Sequence, residues 1–382
     1  MDKKGNKINN SSSIKKIRSK YMMKQIFDNL QQNKFLKTIC YNKNIQKLLE
    51  KNKDDYRKEY LKIIFEIIPT KDRFKDFNIV NEKYEFCSHI YYNDNKEEQK
   101  TNIITENDKV TKIKGILDYK VKLLTKLFQD CKYIKKINFI KFKRNDIKNM
   151  SYMFYNYSNS QELNLSNFNT NNVTNMEYMF SGCNNLKELA LSNFITNKVN
   201  NMNHIFFLCF ALKKLDLSNF NTKNITKMNN MFDECSSLIE INLSNFNTDK
   251  ITNMNHMFCG CKSLKELNLS NFNKTNVTNM NSMFAKCISL KSINLTSFNT
   301  NNVINMSLMF CACVSLEELN LSNFRINNVK NMSYMFYGCA SLKKLNISYF
   351  DTRLVNNVDR MLGKCLLLKK INCSKAYIKL EY

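Results

Sequence analysis

From about residue 111 the apolar positions of this chain return every 26 residues, in blocks that read approximately M-F-x-x-C-x-x-L-x-x-L-x-L-x-N-F-x-T-x-x-V-x-N-M-x-x. Ten such blocks follow one another, and one unbroken register carries Phe154, Phe180, Phe206, Phe232, Phe258, Phe284, Phe310 and Phe336. A fixed period of this length marks a solenoid, whose units stack on their neighbours and share one continuous core.

The register names the core by column. Cysteine recurs at 183, 209, 235, 261, 287, 313, 339 and 365, with Cys131 opening the column and Tyr157 interrupting it. Leucine follows three residues later, as at Leu186, Leu212 and Leu238. Two further aliphatic columns, such as Leu189 and Leu191 or Ile241 and Leu243, lie two residues apart, which is strand spacing. Phe168, Phe194, Phe220, Phe246, Phe272, Phe298, Phe324 and Phe350 form an aromatic column just past that strand. In the other half of the block, Met254, Met257, Phe258, Cys261 and Leu264 recur at the spacing of one helix face. The expected unit is one short parallel strand plus one helix. The fold class is then α/β, a curved sheet on one side and helices on the other, with a small mainly helical N-terminal region.

The segment LKELNLSNFNKTNVTNMNSMFAKC (264–287) resembles the BspA-type leucine-rich repeats, with their recurrent S-N-F-x-T-x-x-V-x-N-M-x-x-M-F signature. The likeness runs over roughly residues 111–373. Phe194 stands where the general leucine-rich pattern has an Asn, so the neighbouring asparagines Asn193, Asn219, Asn245, Asn271 and Asn323 are expected to close the turn. The resemblance implies a non-enzymatic binding protein, and many such proteins are surface or secreted.

Residues 1–20 are polar and basic, without a core pattern, and are expected to be disordered. Residues 21–79 carry short apolar clusters, the last of them Tyr60, Leu61, Ile64, Ile67 and Ile68, which read as compact helices ending at Pro69. This region is similar to an F-box in length, helix spacing and position ahead of leucine-rich repeats, although it lacks that motif's leading Leu-Pro and its Trp. The similarity implies a ubiquitin-ligase substrate adaptor that docks a ligase scaffold. Residues 80–126 read as a strand-rich cap with a first partial repeat, 127–373 as the solenoid and 374–382 as a polar tail.

Charge changes the picture less than its size suggests. The net charge of +26 points to an acidic partner. The side chains between the buried strand residues, however, form an amide ladder with an acidic edge. They include Glu162, Asn164, Glu188, Asp216, Glu240, Asn242, Glu266, Asn268, Asn294, Glu318, Asn320 and Asn346. That is the wrong sign for a phosphate backbone, so nucleic acid is not the expected partner. A protein partner bound across this concave face is expected instead, with a surface adhesin as the alternative beside the ligase adaptor.

The fourteen cysteines are expected to be free and buried, since helices stacked one repeat apart would hold them beyond disulfide reach. Cys259-Gly260-Cys261 and Cys311-Ala312-Cys313 resemble ligand pairs, but on a helix residues two apart diverge. His204 and His256 fall in one slot two repeats apart and are expected to be solvated. No metal, cofactor or catalytic constellation is expected. The N-terminus has no apolar run of signal-peptide length and the chain has no apolar stretch of membrane-span length, which gives a cytoplasmic expectation.

Overall fold

The structure is a computed structural model that describes residue 47 and residues 58–71, 76–105, 107–272, 276–352 and 355–372. The chain divides into two compact units at Lys62/Ile63. The helices expected before residue 58, and with them the F-box similarity, lie outside the described residues, as do the basic tail and residues 374–382.

The second unit is a β-solenoid. It opens with β1 (Ile63–Pro69), β2 (Phe77–Asn78), a 3-10 segment (Glu82–Cys87), β3 (Ser88–Tyr92), β4 (Glu98–Gln99), β5 (Ile103–Ile104) and β6 (Ile113–Leu117). The coils then contribute β7 (Ile134–Lys141), β8 (Glu162–Asn164), β9 (Lys214–Asp216), β10 (Glu240–Asn242), β11 (Glu318–Asn320), β12 (Lys344–Asn346) and β13 (Lys370–Asn372).

The segment around Ile64 and Ile68 corrects the sequence reading, because residues 63–69 are strand and not helix. Ile63, Phe65 and Ile67 are fully buried, while Ile64, Glu66 and Ile68 alternate with them at the period of two that a strand requires. This strand pairs antiparallel with β6 on one side and β7 on the other, so it covers the first edge of the solenoid sheet. An uncovered edge would be a template for uncontrolled pairing.

Within the solenoid the strands pair in parallel at the repeat distance. Glu240 lies beside Lys214, Ile241 beside Leu215 and Asn242 beside Asp216, and Glu318–Asn320 pairs likewise with Lys344–Asn346. Inward-facing residues such as Leu163, Leu215 and Leu319 are buried and their neighbours exposed, giving the alternation of a sheet with one covered face.

The helix expected in each repeat does not form. Its place is taken by linked tight turns, closed by the Met179 N–H on the Met176 carbonyl (3.2 Å), Cys183 on Phe180 (3.2 Å) and Leu186 on Cys183 (3.3 Å). Two residues per coil are left-handed, Tyr178 and Gly182 in one and His256 and Gly260 in another. The first and second of these turns therefore carry their positive φ at the third position, the type II arrangement. Alternate N–H groups point out of the coil: Met176, Tyr178, Phe180 and Gly182 donate at 2.7–3.0 Å to the carbonyls of Asn201, Asn203, Ile205 and Phe207. A helix would consume those donors internally.

Coil spacing supplies the physical reason. The Phe154 and Phe180 rings stack with centroids 5.7 Å apart, as do Phe206 and Phe232, whereas packed helices sit ~8–10 Å apart. Strands pair at ~4.8 Å. A turn ribbon keeps the two sides of the coil within ~1 Å of one another in rise, so its outward-pointing backbone donors reach the next coil.

Two polar columns close the coil corners. Asn193 Nδ2 donates to the carbonyls of Leu165 and Phe168 (both 3.0 Å), and Asn219, Asn271 and Asn323 repeat the pattern, as expected from sequence. The threonine of the repeat was assigned no role by sequence reasoning. Thr222 Oγ1 accepts from the Asn247 N–H (2.7 Å) and donates to the Asn247 carbonyl (2.8 Å), satisfying two half-buried backbone groups with one hydroxyl.

Candidate functional site

The strand face presents the candidate binding residues in the order expected from the register. Glu162, Asn164, Glu188, Asp216, Glu240, Asn242, Glu266, Asn268, Asn294, Glu318 and Asn320 are exposed, and Asn346 is half-buried. They are brought together as a ladder, one rung per coil, and not as a pocket.

The ladder is less free than its composition suggests. Asn164, Asn242, Asn268, Asn294, Asn320 and Asn346 each accept, through Oδ1, from the backbone N–H two residues on, at 3.0–3.2 Å. Asp216 does the same from Ser218 (3.0 Å), which holds its carboxyl below the usual range together with the Ser218 hydroxyl. These side chains therefore cap the turn that ends each strand. What the asparagines leave is the Nδ2 donor, which in Asn164 already bonds Asn138 Oδ1 (2.9 Å) and in Asn242 bonds Asp216.

Three carboxylates of the ladder are neutralised by the adjacent coil. Glu162 pairs with Lys136, Glu240 with Lys214 (2.8 Å) and Glu318 with Lys344. Such exposed pairs contribute little stability, but they do cancel charge locally. Among the described residues no lysine or arginine pairs with Glu188, Asp216 or Glu266, and of these only Asp216 is engaged by the turn after its strand.

The opposite side of the coil holds a group that sequence reasoning set aside. His204 and His256 are half-buried and not fully solvated. The His204 ring stacks on Tyr178 (4.2 Å between centroids, 6° between planes) and its Nδ1 is buried without a hydrogen-bond partner. Burial lowers its pKa, opposed by Asp233 and assisted by His256. His256 lies one coil past Asp233 and three residues before Cys259, and the ligand atoms of these three lie within 4.8 Å of one another. The sequence signal was H-x-x-C. The spacing i, i+3 puts both side chains on one face of a helix and likewise of the turn observed here, in which the Cys259 N–H donates to the His256 carbonyl (3.2 Å); sequence reasoning paired Cys259 with Cys261 instead.

The cysteine column has a function of its own in the fold. All twelve cysteines among the described residues are free thiols. The expected cause was wrong, since coils stack too closely for the helix-spacing argument to hold. From Cys183 onward each column thiol instead donates to a phenylalanine carbonyl of the preceding coil, as Cys235 to Phe206 (3.1 Å) and Cys313 to Phe284 (3.1 Å). Burial pushes Cys287 up to about 12, which keeps it protonated and unreactive.

Near the N-terminal end a cavity of about 620 Å³ is lined by Asp76, Phe77, Glu82, Asp130, Cys131 and Tyr133 among others. Burial, with Asp130 adding to it, pushes the Cys131 thiol up to about 12. It is a poor nucleophile there. Among the described residues no helix is long and apolar enough to cross a membrane. The cytoplasmic expectation rests on the sequence alone.

The family described as "Mycoplasma protein of unknown function, DUF285" matches residues 122–238, 208–313 and 286–375, about two thirds of the chain. The chain belongs to that family. No curated protein matches it. Among solved structures, this DUF285 protein is similar to a leucine-rich cell surface protein from Faecalibacterium prausnitzii, at 14% identity over 69% of this chain and 85% of that one, with a TM-score of 0.31. It is also similar to a leucine-rich repeat protein from Bacteroides ovatus, at 18% identity over 75% of each chain, with a TM-score of 0.38.

Proposed function

We propose that this DUF285 protein is a non-enzymatic scaffold that binds a protein partner along the strand face of its solenoid. What supports the reading is one observation: a polar, exposed rung recurs in each coil, and within that ladder Glu188 and Glu266 keep carboxylates that no described cation neutralises. The partner would present lysine or arginine to those carboxylates and carbonyl or hydroxyl acceptors to the asparagine Nδ2 groups, whose own oxygens are already engaged. A solenoid offers such a surface without further folding, so little ordering cost attends binding.

Site-directed photo-crosslinking tests the reading. A photoreactive residue at Asn268, on the strand face, should capture a protein adduct from cell extract, whereas the same residue at Lys286, on the turn side, should not. Adducts from Lys286 alone, or from neither position, would refute strand-face binding.

A further inference from the structure

We infer that Asp233, His256 and Cys259 form a binding site for a borderline divalent cation of the zinc class, on the turn side of two adjacent coils. The geometry carries the argument: the ligand atoms of the three residues lie within 4.8 Å of one another, and the histidine ring is held in a fixed orientation. Asn281 Nδ2 donates to the Ser307 hydroxyl (2.7 Å) and to the Ser307 carbonyl (3.0 Å), and that hydroxyl donates onward to Asn305 Oδ1 (2.7 Å). The Asn281 amide is thereby oriented with Oδ1 towards His256 Nε2, 3.1 Å away. An amide oxygen can only accept, so the imidazole proton resides on Nε2. In the neutral ring Nδ1 then carries the lone pair, and it faces Asp233 Oδ2 at 3.6 Å. In that form two acceptors point at one another, and either a proton on Nδ1 or a metal cation held between Nδ1, Oδ2 and the neighbouring Sγ satisfies them.

The surrounding groups are those of a built site. Asp233 is buried, and its Oδ2 accepts from Asn230 Nδ2 at 2.7 Å, which fixes the carboxylate. The Asn281–Ser307 chain plays the same orienting part for the imidazole, the arrangement usual behind a metal-bound histidine. The Cys259 thiol is buried and held well above its ordinary pKa by desolvation and by Asp233, so without a cation it stays neutral. On binding, the cation would displace the thiol proton to solvent and form bonds to Sγ, Nδ1 and a carboxylate oxygen. Thiolate and carboxylate together then balance the two positive charges, which a half-buried site requires. Tetrahedral coordination places donor atoms roughly 3.5 Å apart, close to the Nδ1 to Oδ2 separation already present, and leaves a fourth position for water or a further ligand.

Elsewhere in the same columns the set is incomplete. Cys311 is the counterpart of Cys259 two coils on, but Leu308 stands in the histidine slot. Cobalt(II) titration of the reduced full chain is therefore the test. One equivalent should produce a thiolate-to-cobalt charge-transfer band that zinc bleaches. The band should vanish in Cys259→Ser and persist in Cys311→Ser. His256→Gln and Asp233→Asn should each weaken cobalt binding by at least about tenfold, since even outer-shell partners are worth that much. Absence of the band in the folded wild-type chain, or its survival in Cys259→Ser, would overturn the assignment and leave His256 and Asp233 as a plain ion pair.

Discussion

Cys261 Sγ donates a hydrogen bond to the carbonyl of Phe232, a residue of the preceding coil, at 3.2 Å. The same bond joins Cys183 to Phe154, Cys209 to Phe180, Cys287 to Phe258 and Cys339 to Phe310. Cysteine suits the slot because it is small and apolar yet carries one weak donor. Cys261→Ala should cost about 1 kcal/mol in urea unfolding, the typical net worth of one hydrogen bond. Cys261→Asp should cost several times more, because it would bury a charge without a partner. Equal losses from the two variants would contradict the packing described.

The left-handed positions give a prediction of the opposite sign. Gly182, Gly260 and Gly338 occupy one slot of the turn ribbon, and in other coils the same slot holds Leu208, Glu234, Lys286 and Ala312, all at positive φ. A side chain there costs roughly 1–2 kcal/mol, partly offset by the greater freedom glycine has when unfolded. Lys286→Gly should therefore raise the unfolding free energy by about 0.5–1 kcal/mol. The reverse change, Gly260→Lys, should destabilise, since the backbone there has φ +70° and the Glu234 carboxylate must also move aside for a Cβ. Thermal unfolding of both variants checks the pair.

That slot also explains what the sequence could and could not say. Columns at Phe154, Leu163, Leu165 and Phe168 were legible because burial in a stack repeats at the coil length whatever the local backbone does. The local backbone was not legible in the Met254 to Leu264 segment. Linked three-residue turns bury the same i, i+3, i+4 and i+7 positions as a helix face. Only the glycines at 182, 260 and 338 hinted at a left-handed residue. The strand at Ile63–Pro69 was misread because isoleucine on both faces blurs period two. On the strand face, exposure could be predicted residue by residue. The diversion of the asparagine oxygens into turn caps could not, because it depends on the turn geometry after each strand.

Arg144 and Asp146 supply an acid-sensitive element. The guanidinium is fully buried and grips both Asp146 oxygens at 2.8 Å, with Lys122 at 2.9 Å. Burial alone would raise the Asp146 pKa, but Arg144 and Lys122 outweigh it and lower it to about 2. A depressed carboxylate pKa contributes stability above the unfolded value of about 4, and that contribution fades as pH falls towards 2. Asp146→Asn should cost about 3 kcal/mol at neutral pH, because it strands a buried cation. The gap between wild type and variant should shrink as the pH of the unfolding experiment is lowered from 5 towards about 2. A gap independent of pH would contradict the assignment.

The stacked rings predict that stability passes between neighbours. Phe258 lies between Phe232 (5.4 Å) and Phe284 (5.8 Å), whereas Phe336 has Phe310 on one side and Leu362 in the corresponding place on the other. Phe258→Ala should cost about 3–5 kcal/mol and Phe336→Ala less, measured by denaturant unfolding. Equal costs would contradict a nearest-neighbour stack.

The strand-face claim is tested most directly by affinity. Glu188→Lys with Glu266→Lys reverses the two ladder carboxylates that neither a cation nor a turn hydrogen bond engages, and as exposed changes they should alter stability by no more than about 0.5 kcal/mol each. Titration calorimetry against the partner captured at Asn268 should then show binding at least about tenfold weaker, or about 1.4 kcal/mol. Unchanged affinity in a fully folded double variant would contradict recognition through the strand face.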